Sequence, residues 1–271
     1  MAASVLTEEE KKIEYSRLFY KPLEKVDPQL LDILKKSPVK PEQITSIYQR
    51  NDILKPGYLE VENGYAKMDD GSGCAATKIE MPDVTPEMIE WWFAWHGLKS
   101  LRYKIWCPTD HYEAHVREED LSRRLDQSLS LKERNWGTTD IVTENVGGGP
   151  QTMCLAFLSP EDFGYDPALI ANADVIVSAN VSDAKTGAPL ICFSHVIRKI
   201  EKGIEYRSHY WQGYNINAKG EPEAVAIPDG GFPMEVMKSA AEHSLTEYSN
   251  LAVLLPQLYD KYKNCTDLTM D

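Results

Sequence analysis

From Pro233 to about Tyr262 the chain keeps a helical period, and a helix of that length draws most of its stability from a surface that covers its apolar side. At about 100° per residue, Met234, Met237, Ala241, Leu245, Tyr248, Ala252 and Leu255 make a wide apolar band. Glu235, Lys238, Glu242, Thr246 and Ser249 make the water-facing stripe. Two polar residues belong to neither. His243 and Glu247, in the stretch EHSLTEYSNLA, stand one turn and about 40° apart, the glutamate flanked by Val236, Leu251 and Leu254. An ionised carboxylate held away from water is costly unless it is paired or bound to a metal. The pair is therefore either a hydrogen bond covering an internal polar spot or part of a metal site, and the helix alone does not choose between them.

What precedes the helix predicts the surface it needs. NWGTTDIVTENVG, QTMCLAFLS, ADVIVSANVS, PLICFSHVIRKI and GIEYRSHYWQGYNI read as five strands by length, β-branching and alternation. GYLEVENGYAKMDDGSGCAATKIEMP carries shorter strand-like runs between turn residues. DVTPEMIEWWFAWHG reads as a packed helix with Thr85 as N-cap, Pro86 at its first position and Gly97 as terminator. LRYKIWC reads as a strand, and PTDHYEAHVREEDLSRRL as a loop leading into a short helix. Strands in sequence followed by one C-terminal helix predict an α+β fold, a curved antiparallel sheet gripping the long helix with a cavity between them. Residues 1–56 read as a charged, helical N-terminal region interrupted by prolines, an appendage or dimerisation element, and residues 57–271 as the main domain.

Composition narrows the function. Forty-two acidic against 29 basic residues leave a net charge of −13, which argues against a nucleic-acid or anionic-membrane surface because both need clustered cations. No stretch approaches the roughly 20 apolar residues of a membrane span, and MAASVLTEEEKK lacks a signal-peptide core, so a cytoplasmic location is expected. The five cysteines are odd in number and widely spaced, which suggests neither a disulfide framework nor a thiolate zinc knuckle. Cys107 and Cys192 are expected to fill core space.

Six histidines can be weighed singly. His96, at the end of the tryptophan helix, is read as a cap or core residue, and His111 and His115 share a spacing that on a helix could hold a metal. His195 alternates with Ile191, Phe193 and Ile197, where a satisfied core histidine is common, and His209 alternates with Arg207 and Trp211 on the next strand. Glu144, on a strand with few apolar members, could face either way.

The order WWFAWH, RYKIWCPTDH, a strand with TEN, and AEHSLTE resembles the 2,4-diacetylphloroglucinol hydrolase and phloretin hydrolase family, from about Gly57 to the end. The resemblance implies a helix-grip fold similar to START and birch-pollen-allergen domains, a homodimer, and a zinc ion held by His111, Glu144, His243 and Glu247. It also places an active-site tyrosine on Tyr103 and a histidine on His195. A polar residue of the family pattern is here Ala114, so contacts to ring hydroxyls can differ.

The implied activity is hydrolysis of the bond between a phloroglucinol ring and its acyl carbon, with phloretin as the first choice of substrate and 2,4-diacetylphloroglucinol as the alternative. The ring can leave only after protonation at the acylated carbon, which three ring hydroxyls permit by stabilising the keto form. Zinc would position and acidify water, and Tyr103 with His195 or His209 would handle phenol protons, as groups titrating near neutrality can. Trp91, Trp92, Trp95, Trp106, Tyr210 and Trp211 are candidates for an aromatic wall. The rival is a carrier of lipids or aromatic ligands, because a pocket of this kind does not by itself give function.

Overall fold

The computed structural model describes residues 4–266 and 268. Its eight-stranded sheet comprises β1 (Gly64–Lys67), β2 (Gly73–Met81), β3 (His111–Val116), β4 (Thr139–Glu144), β5 (Gln151–Leu158), β6 (Val175–Asp183), β7 (Pro189–Lys199) and β8 (Ile204–Gln212). The order is β1-β2-β8-β7-β6-β5-β4-β3, with every neighbouring pair antiparallel. A small hairpin, β9 (Tyr214–Ile216) with β10 (Pro222–Ala224), follows. The helices are α1 (Pro28–Leu34), α2 (Pro86–Trp95), α3 (Ser100–Lys104), α4 (Leu121–Arg124), α5 (Leu131–Asn135), α6 (Pro167–Ile170) and α7 (Met234–Tyr262). This is the expected α+β architecture, a curved antiparallel sheet around a long C-terminal helix. None of the described helices is long and apolar enough to cross a membrane.

Alternation along the strands divides the interior into two cores. On the helix side, Met237, Ala241, Leu245, Tyr248 and Leu255 of α7 join Ala75, Ile79, Tyr206 and the α2 tryptophans. On the far side, Ala76, Cys192, Val196 and Trp211 meet Ile44, Ile47, Ile53 and Leu54. That N-terminal layer is bonded to the sheet. The buried Arg207 pairs with Glu62 at 2.7 Å and donates to the Ile53 carbonyl, and Trp211 Nε1 donates to the Thr45 carbonyl.

Three local expectations change. LRYKIWC contains helix α3 and not a strand: Leu101–Cys107 is buried on all sides, so it has no exposed face whose period could separate helix from strand. HYEAHV is a strand and not a loop, its period broken by an irregularity between His111 and Glu113. His115 is thereby exposed while His111 is buried, which removes the reading of the two as a helical metal pair. Within residues 7–50 the one α-helix is α1, and the remaining helical pieces are short 3-10 turns. Thr85 caps α2 as expected, although a 3-10 turn over His96–Leu98 extends it beyond Gly97.

Candidate active site and metal centre

Between α7 and the sheet lies a cavity of about 520 Å³, within the range of small-molecule sites. Its wall is mostly apolar, and one side carries a cluster of ligating side chains.

Each member of the cluster arrives by a separate structural device. Antiparallel pairing sets His111 of β3 opposite Glu144 of β4. Alternation turns Glu144 to the inner face with Val142 and Asp140, and helical spacing puts His243 and Glu247 one turn apart on α7. His111 Nε2 lies 3.5 Å from both Glu144 Oε2 and Glu247 Oε2, and His243 Nε2 lies 3.8 and 3.7 Å from the same two oxygens. Four donors about 2.0–2.1 Å from a tetrahedral ion are about 3.3–3.4 Å apart, so the observed spacings fit such an ion after small adjustments. His111, Glu144 and His243 are close enough together to hold a metal. A second group, Cys107, Asp110 and His243, shares one histidine with the first.

Electrostatics also favours a cation. The Nε2 atoms of His111 and His243 are buried without a hydrogen-bond partner among the described residues. Burial, and then Glu144 and Asp110, push the Glu247 carboxyl well above its ordinary range. Burial, and then His243, hold His111 well below its own, hence neutral and able to ligate. His111 Nδ1 is 3.1 Å from the Tyr103 carbonyl, which can only accept; Nδ1 therefore carries the proton and Nε2 the lone pair. The residues fit a divalent cation with nitrogen and carboxylate donors.

Tyr103 stacks on His111 at 3.9 Å between ring centres, and its hydroxyl donates to Glu144 Oε2. Burial, and then Glu144, raise its pKa well above the ordinary value, so it keeps its proton. His195 lies on the inner face of β7 with Nδ1 2.9 Å from Ser208 Oγ and Nε2 3.0 Å from the Tyr248 hydroxyl. Burial lowers its pKa to about 3; it is neutral near pH 7 and not the group titrating near neutrality that was expected. His209 points to the far core, where it stacks on Trp211, and does not reach the cavity. Trp106 and Tyr210 line the cavity, whereas Trp91, Trp92 and Trp95 pack under α7 and Trp211 lies on the far face. The buried Cys107 thiol is pushed far up by desolvation and is no nucleophile.

Sequence reasoning missed Tyr248, Ser208 and Asp110. Tyr248 sat in the apolar band, and its hydroxyl partner on β7 is visible only in three dimensions.

The family profile described as DAPG hydrolase PhiG domain matches residues 44–260. A phloretin hydrolase of Eubacterium ramulus is 35% identical over 262 residues, covering 95% of this chain and 93% of that protein. A 2,4-diacetylphloroglucinol hydrolase of Pseudomonas protegens is 29% identical over 228 residues, covering 80% and 74%. Among solved structures, an aromatase/cyclase from Streptomyces aligns with TM-score 0.43 and 9% identity, over 71% of this chain and 98% of that one. Ginseng major latex-like protein 151 aligns with TM-score 0.44 and 9% identity, over 68% and 98%.

Proposed function

The chain belongs to the DAPG hydrolase family, and from that premise we propose that it hydrolyses the carbon–carbon bond between a phloroglucinol ring and its acyl group, phloretin first among substrates. Phloretin and water would give phloroglucinol and 3-(4-hydroxyphenyl)propanoate. The observation that carries this reading is the pairing of two unpartnered histidine nitrogens with two carboxylate oxygens, Glu144, His243 and Glu247 on the wall of a mostly apolar cavity and His111 buried against them. A carrier of apolar ligands gains nothing from burying such a set. Identity to the phloretin enzyme over nearly the whole chain favours phloretin over diacetylphloroglucinol.

His111, Glu144, His243 and Glu247 would hold the ion, and their donor types favour zinc. When bound, zinc supplies a Lewis-acidic centre that acidifies water and polarises an acyl oxygen. The remaining work belongs to the chain. Tyr103, kept protonated, has one O–H, held here by Glu144, and with substrate bound it can turn that donor from Glu144 to a ring or acyl oxygen. The Ser208–His195–Tyr248 chain can pass a proton between a ring hydroxyl and the interior without ionising His195. Protonation of the acylated ring carbon comes first; water oxygen then bonds to the acyl carbon. The carbon–carbon pair of electrons leaves with the ring as its enolate, and a proton restores phloroglucinol. Apolar walls keep other water out.

The test is turnover of phloretin, followed as release of both products, together with metal analysis of the purified protein. About one zinc per chain and stoichiometric products are expected. Full activity in exhaustively metal-free protein would sink the metal part; binding of phloretin without cleavage by zinc-loaded protein would favour the carrier.

A further inference from the structure

The cavity has an inner end that this chemistry leaves unused. Inward side chains on β4 run Glu144, Val142, Asp140, and at about 3.4 Å per residue the last Cα lies roughly 14 Å from the first. Around Asp140 the wall is made by Phe93, Val142, Phe157 and His96, all buried. Gly147, Gly148 and Glu235, which border the cavity elsewhere, are exposed, so the opening lies there.

His96 is 4% exposed and its ring lines the inner end. Its Nδ1 is 2.7 Å from the Trp92 carbonyl, so Nδ1 must carry the proton and Nε2 presents a lone pair. No hydrogen bond to Nε2 occurs among the described residues. Asp140 does not need it, since Arg124 already binds that carboxylate at 2.7 Å. The ring is fixed by stacking on Trp92, 5.1 Å away and 13° from parallel. Gly97 lets this turn approach β4, where a Cβ would collide with the Asp140 carboxylate. Burial lowers the His96 pKa to about 4, so near pH 7 Nε2 accepts and does not donate. A pinned acceptor nitrogen on a ring that lines the cavity, among Phe93, Val142 and Phe157 and beside an Asp140 already paired with Arg124, suits a ligand hydroxyl.

We infer that the inner end receives the far end of the substrate's acyl arm, where His96 Nε2 accepts a hydrogen bond from a hydroxyl on that arm and so selects hydroxylated arylacyl substrates. The inference rests on the proposed function. Reach agrees with it: Tyr103 stands between His96 and His111 of the metal cluster, with ring centres 6.1 Å apart on one side and 3.9 Å on the other, and Trp106 bridges the same two rings at 5.4 and 5.0 Å. In a 3-(4-hydroxyphenyl)propanoyl arm the hydroxyl lies about 8 Å from the acyl carbon by ordinary bond lengths. An acetyl group cannot span that distance.

Two measurements test the assignment. The zinc-loaded enzyme is assayed with phloretin and with 3-phenyl-1-(2,4,6-trihydroxyphenyl)propan-1-one, which lacks only the arm hydroxyl. The wild type should prefer phloretin by about tenfold in kcat/KM, and His96→Phe should bring that ratio close to one, while His96→Gln, which keeps an acceptor, should retain part of it. An unchanged ratio in a folded His96→Phe protein, or equal losses on both substrates, would overturn the assignment. The second measurement needs neither a variant nor turnover. In the 15N spectrum of the wild type, the His96 Nε2 resonance should move on adding 3-(4-hydroxyphenyl)propanoate and stay in place with 3-phenylpropanoate. A resonance unmoved by both acids overturns the inference. Failure to cleave either ketone would instead count against the proposed function, leaving the spectrum to judge His96.

Discussion

Tyr103 and His195 serve different parts of the cavity, and their variants should differ in kind. The Tyr103 hydroxyl bonds to Glu144, so Tyr103→Phe removes the support of that carboxylate and the donor that would turn to substrate. Its kcat should fall roughly 10²-fold, with zinc affinity weakened about tenfold and full occupancy recovered at saturating metal, as equilibrium dialysis would show. His195→Ala should lower kcat by a similar order with zinc affinity unchanged. If the neutral imidazole works only as a relay to Tyr248, then Tyr248→Phe should cost about as much, and the double variant little more than either. Additive losses in that cycle would mean that the two side chains act separately.

Among the elements, α7 and β4 meet through like charges. Glu247 is buried beside Glu144, and without a cation the native state must hold a proton on Glu247 or tolerate two facing carboxylates. Removing the metal with a chelator should therefore lower Tm by several degrees and speed amide exchange around residues 240–250 and in β4, and added zinc should reverse both. Glu247→Gln should strip the metal while narrowing the Tm gap between loaded and stripped protein. An identical Tm with and without chelator would show that no ion joins the two elements.

For the whole molecule, buried histidines set the response to acid. His96 titrates at about 4, His195 and His209 at about 3, and His111 well below its ordinary value, each chiefly because burial disfavours the charged ring. The unfolded chain takes up these protons near pH 6.5, before the native state does, so stability is full above that pH and declines as pH falls toward the folded values. Glu247, raised in the absence of a cation, acts in the opposite sense between about pH 4.5 and its elevated pKa, but as one group against four. The urea midpoint should therefore fall steadily from pH 6.5 to 4. His209→Leu, on the far face from the cavity, should flatten that decline by about one proton; an unaltered slope would show that His209 does not contribute.

Periodicity made α7 legible, and with it the placing of His243 and Glu247 off the solvent stripe, because helical neighbours are set by spacing alone. Alternation likewise set His195 with Phe193 and Ile197 on one face of β7, and the run of strands before a final helix defined the architecture. Tertiary structure decided the rest. Whether Glu144 faced inward depended on the register of β4 against β3, which sets it opposite His111, a residue far earlier in the sequence. Tyr103 reached the site on a helix, not a strand, because full burial erases the polar face from which a period is read. His96 looked like a cap, and it is one; only the chain folding back through β4 left its second nitrogen at the edge of a cavity. A local pattern reports which way a side chain points from its own element, whereas what it meets there is settled by parts of the chain far away in sequence.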